Sequence, residues 1–64
     1  MKVTFIRGPQ ILMTVKTIKE ELHIGLKEAK YCVDSGQFEC TKEQLEAIKP
    51  KLIELGNTGF EVMN

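Results

Sequence analysis

Apolar and polar positions alternate over Lys-Val-Thr-Phe-Ile at residues 2–6, with Val3 and Phe5 on one side and Thr4 and Ile6 on the other. A period of two in β-forming residues predicts a strand. Gly8-Pro9 breaks it, and Pro9 suits the first turn of a helix, where a missing N–H costs nothing. The period then lengthens. Over residues 10–22, Ile11, Val15, Ile18 and Leu22 recur at offsets of four, three and four, the stripe of an amphipathic helix. Leu12 and Met13 lie off that stripe, so this helix carries more apolar surface than one core contact uses. His23-Ile24-Gly25 ends it, and Gly25 is read as the residue that takes a positive φ in the turn.

A second helix is predicted from Leu26 to Asp34, with Leu26, Ala29 and Val33 on one face and small Ala29 permitting close approach to its neighbour. Asp34-Ser35-Gly36 reads as a turn. Gln37 to Cys40 alternates again, with Phe38 and Cys40 on the inner side, and predicts a short strand. Thr41 with Gln44 three residues later forms a capping box that opens a third helix. Its stripe is Leu45, Ile48, Leu52 and Leu55. Pro50 interrupts that pattern and predicts a bend, because proline removes one helical hydrogen bond. Gly56 stops the helix. Residues 59–63 form a last strand, with Phe60 and Val62 facing inward. The expected architecture is α+β: a two-layer sandwich in the order βααβαβ. A three-stranded antiparallel sheet carries three helices on one face, burying Val3, Phe5, Phe38, Phe60 and Val62.

The 64 residues suffice for one domain, 1–64, with a thin core. Nine basic residues balance nine acidic ones, which weighs against nucleic acid as a partner. Cys32 and Cys40 are eight apart in no metal-ligand pattern and read as reduced core residues; no cofactor or metal is expected. No apolar run matches a membrane span, and a cytoplasmic protein is expected. His23, the one histidine, has no nucleophile or orienting carboxylate in view, so it reads as a helix-end residue and not a catalytic base. No carboxylate pair or phosphate-binding glycine loop appears. The chain is therefore expected to be a binding protein and not an enzyme.

Gly25-Leu26-Lys27-Glu28-Ala29-Lys30 resembles the signature of the second helix in the C-terminal domain of the bacterial ribosomal stalk protein. Leu12 to Lys19 resembles that domain's first helix, and Thr41 to Val62 its third helix, glycine stop and final strand. The likeness spans nearly the whole chain, and the six-residue signature is its specific part. In that family the first two helices recruit translational GTPases. The resemblance implies a protein-binding module that contacts a translation factor through Leu12, Val15, Lys16, Lys19, Gly25 and Lys30, with Lys27 inside the signature. Periodicity alone places Val15 in the core, and reads the four lysines as a solvated face with partners such as Lys16–Glu20.

The family's dimerisation domain and hinge have no counterpart in these residues, and Glu20-Glu21-Leu22-His23 replaces a small, glycine-rich stretch. Both departures motivate a second reading: a phage- or mobile-element-type adaptor that uses the same fold on another protein target. A related adaptor family, which delivers N-degron substrates to a bacterial AAA+ protease, shares the order of elements. Its acidic Asn-Asp-Asp stretch is replaced by Arg7-Gly8-Pro9-Gln10, so N-degron binding is not expected.

Overall fold

The structure, a computed structural model, describes residues 1–63. Its elements are β1 (Lys2–Ile6), α1 (Ile11–Leu22), α2 (Leu26–Ser35), β2 (Gln37–Glu39), α3 (Lys42–Glu54) and β3 (Thr58–Met63). The class is α+β, and the three strands form an antiparallel sheet in the order β2-β1-β3. Val3 is opposite Phe38 on one side and Val62 on the other. Residues directly opposite share a face, so Phe38, Val3 and Val62 form one row beneath the helices. The next row is aromatic. Phe5 lies between Phe38 and Phe60, 5.8 Å from each ring centroid, tilted against the first and stacked on the second.

The helical layer has the same arrangement as the sheet. α1 touches both α2 and α3, and α2 also packs on β2. The central helix thus accompanies the central strand. Ile18, Ala29, Ile48 and Leu52 are fully buried between the layers, with Val3 and Val33 beside them. Each lies on the stripe its helical or strand period predicts. The stripes fail at their ends. Ile11 and Leu26, read as core, are 44% and 52% exposed, each at the first residue of its helix. Val62 is half exposed although its neighbour Val3 is fully buried, and Phe60 is only partly covered. The helices cover β2 and β1 but stop short of the outer side of β3.

Local chemistry explains the boundaries. Thr41 caps α3 as expected: its hydroxyl accepts from the Gln44 N–H at 3.1 Å, and its own N–H donates to Gln44 Oε1 at 2.9 Å. α3 runs continuously through Pro50. The carbonyl that proline leaves without its helical donor belongs to Glu46, four residues back, and both residues are exposed, so water can satisfy it. Pro9 precedes α1 and is not in its first turn; its ring packs at Gly56 instead. Asp34 and Ser35 complete α2, and Gly36 caps it with its N–H on Val33 O.

Asn57 closes the fold. It is 1% exposed and joins three segments. Its Nδ2 donates to Thr14 Oγ1 at 3.0 Å and to Leu52 O at 2.9 Å, while its Oδ1 accepts from the Gly8 N–H at 2.9 Å. Its backbone N–H also donates to Leu52 O. The strand exit, the start of α1 and the end of α3 therefore meet at one amide. The chain crossing there is tight: a Cβ on Gly8 would lie 2.4 Å from Gly56 O. Asn57→Ala is expected to destabilise the domain by about 2–3 kcal/mol, because it leaves the Gly8 N–H without its acceptor and removes the side-chain hydrogen bonds to Thr14 Oγ1 and Leu52 O. Asn57→Asp should be no milder, since a carboxylate has no N–H for Leu52 O. Urea titration of the two variants measures both.

Candidate protein-docking surface

α1 and α2 form a hairpin whose outer surface holds most of the residues singled out by the sequence. Orientation follows from what each helix flank touches. On α1, Thr14 bonds to Asn57 and Glu21 pairs with Lys51 of α3, so that flank faces α3. At about 100° per residue, Leu12 and Lys19 lie on the opposite flank, toward α2, and Lys16 lies on the outer crest. On α2, Ala29 and Val33 point into the core. Glu28 and Cys32 lie on the flank toward β2, where they line a groove of about 650 Å³. Lys30 is on the other flank, toward α1. Leu12, Lys16, Lys19 and Lys30 thus share one outward surface, while Leu26 points inward at the exposed first turn of α2.

Its composition is apolar at one end and cationic along its length. Leu12 is 82% exposed, the most exposed of the large apolar side chains, with Met13 beside it at 47%. Lys16, Lys19 and Lys30 are exposed. Among the described residues, none of them forms an ion pair: the pairs are Arg7–Asp34, at 3.8 Å, and Lys51–Glu21. The Lys16–Glu20 partnership of the solvated-face reading does not form. Of the two acids at the end of α1, Glu21 is turned away to α3, while Glu20 stays exposed one turn from Lys16.

Three residues of the expected set fall elsewhere. Val15 is 5% exposed and belongs to the core, as its period implied, so it cannot be a contact residue. Lys27 is exposed but stands over the groove toward β2, apart from Lys30. Gly25 has an ordinary extended conformation (φ −74°, ψ 166°) as the N-cap of α2, and a Cβ there would meet nothing within 4 Å. The left-handed residue of the turn is His23 (φ 54°), whose N–H donates to Lys19 O. A positive φ follows the last helical residue because that conformation lets the chain return its N–H to a late carbonyl. Leu26 escaped notice as a surface residue because its spacing to Ala29 and Val33 is that of a core position.

The thiols are not poised for chemistry. Burial pushes Cys32 above its ordinary value of 9.0, with the Glu28 carboxylate adding to the effect. Burial raises Cys40 likewise, partly offset by the charged N-terminus. Both favour the protonated thiol, which is neither nucleophile nor ligand. Among the described residues no cluster of three His, Cys, Asp or Glu could hold a metal ion, and no helix is long and apolar enough to cross a membrane. Comparison of the chain with known protein families, curated proteins and solved structures finds no match.

Two outcomes follow from this geometry. His23→Gly should stabilise the domain by about 0.5–1 kcal/mol, because glycine relieves the left-handed strain at a smaller entropic cost, whereas Gly25→Ser should change stability by only a few tenths of a kcal/mol, as one acceptable N-cap replaces another. Thermal unfolding of both variants separates the roles of the two positions. Iodoacetamide should alkylate Cys32 and Cys40 more slowly in the native chain than in urea at neutral pH. Because their folded-state values are raised, the folded chain holds these protons longer, and stability should decline as pH rises through and above 9.0.

Proposed function

We propose that this chain is a non-enzymatic protein-binding module that docks a partner on the outer surface of the α1–α2 hairpin. One observation carries the reading: Leu12, the most exposed large apolar side chain, adjoins a stripe of lysines that form no ion pair among the described residues. An exposed apolar anchor beside unpaired cations suits an acidic protein surface, where the charges steer encounter and the apolar residue is desolvated on contact. The set is Leu12, Lys16, Lys19 and Lys30. The overall charge of zero makes the cations a local patch and not a general affinity for polyanions.

The resemblance of Gly25–Lys30 to the stalk signature directs the search to a translational GTPase as the first partner to test. Titration of the chain against such a GTPase should give saturable binding that weakens with salt, as expected of charge-steered docking. Reversal of Lys16, Lys19 and Lys30 to glutamate should weaken it at least about tenfold, and Leu12→Ser by a similar factor, with the far-ultraviolet circular dichroism unchanged. Lys27→Glu serves as the internal contrast and should have the smaller effect. Binding that survives the triple reversal would remove the hairpin from consideration. No binding to any GTPase, with saturable docking of another protein that the triple reversal weakens, would redirect the reading to an adaptor for that target.

A further inference from the structure

β2 is an edge strand, and α2, which leads into it through Gly36, packs beside it. Between them runs the groove of about 650 Å³, in which Leu22, Ile24, Cys32 and Phe38 give an apolar lining. All three residues of β2 line it. An apolar cleft and a free strand edge therefore lie side by side.

The ladder assigns the main-chain groups of that edge. Met1 and Cys40 exchange two hydrogen bonds, and Phe5 donates to Gly36 O. Bonded and unbonded pairs alternate along an antiparallel ladder. Val3 and Phe38, midway between those two, are therefore a bonded pair, and Gln37 and Glu39 do not bond to β1. Their N–H and C=O groups point away from the sheet, two residues or about 7 Å apart. A helix spends its own main-chain groups internally and leaves these four unmatched. An extended backbone repeats donors and acceptors at the same interval and matches them.

Charge narrows the occupant. The groove is walled by Lys2, Lys27, Glu28 and Glu39, which balance and so give no general attraction for polyanions. Glu39 is exposed and forms no ion pair among the described residues. A residue set across from it on an added strand meets a carboxylate at cross-strand distance, where a cation is the favourable neighbour. Phe38 faces the helical layer, so the residue across from Phe38 enters the groove.

We infer that the α2–β2 groove binds an extended peptide segment, which adds to β2 as a fourth, antiparallel strand and carries a basic residue followed by a large apolar one. The basic residue lies across from Glu39, and the apolar one fills the groove beside Phe38. Gln37 and Glu39 supply the main-chain hydrogen bonds. This inference is independent of the hairpin reading.

Titration of the isotope-labelled full chain with the peptide acetyl-Thr-Lys-Leu-Thr-Val-amide, followed by nuclear magnetic resonance, tests it. The expected result is saturable binding with a dissociation constant below about 1 mM, in which the Gln37 and Glu39 amides shift and exchange more slowly. The Phe60 and Val62 amides, on the other edge, should not change. N-methylation of the lysine of the peptide and of the threonine after its leucine removes the N–H groups offered to β2, and serine in place of the leucine empties the groove; each should weaken binding at least about tenfold. Glu39→Lys should reverse the charge preference, so that acetyl-Thr-Glu-Leu-Thr-Val-amide becomes the tighter ligand while the circular dichroism stays native. The inference is overturned by no saturable shift at about 10 mM peptide, by shifts confined to the α1–α2 hairpin, by equal binding of the N-methylated peptide, or by a charge preference that Glu39→Lys leaves unchanged.

Discussion

The domain depends on a single buried amide. Asn57 is the point where the chain leaving β1, the first turn of α1 and the last turn of α3 come together, and each contributes a polar group to its hydrogen bonds. Leu52 O receives both the Asn57 side chain and its backbone N–H, so the end of α3 is held from outside the helix. An apolar residue in this place would orphan the Gly8 N–H, whose acceptor is Asn57 Oδ1, whereas Leu52 O keeps backbone donors and the Thr14 hydroxyl keeps Gln10 O. Gly8 and Gly56 permit the approach that brings those groups within reach. The angle of α3 to the sheet, and so the place where the helical layer ends over β3, follows from this knot.

With α3 held in this way, the middle helix becomes the reference for the rest. α1 is packed on both sides, with Glu21–Lys51 and Thr14–Asn57 on one flank and α2 on the other, so its outer crest has one orientation relative to the sheet. Leu12, Lys16 and Lys19 inherit that orientation. A docking surface on a helix fixed from three directions loses little conformational freedom when a partner arrives. The tight αL turn at His23 then carries the chain directly into α2 and sets Lys30 beside the same surface.

Much of this was legible in the residue pattern, and the misreadings share a physical cause. Periodicity reports which face of an element is apolar, and it identified every element, the inward rows Val3–Phe5 and Ile48–Leu52, and the capping box at Thr41. It does not report how far a neighbouring layer extends. Ile11, Leu26 and Val62 obey the inward period and are exposed because nothing lies above them. Gly25 attracted the turn assignment because glycine is the usual left-handed residue, but the chain needs that conformation two positions earlier, directly after the helix, where histidine stands. Val15 shows the opposite case: its period was the better guide than the family likeness, because the stripe that starts at Ile11 must pass through it. Asn57 left no periodic signal at all. A polar residue between Gly56 and Thr58 reads as loop, and its role exists only where three distant segments meet.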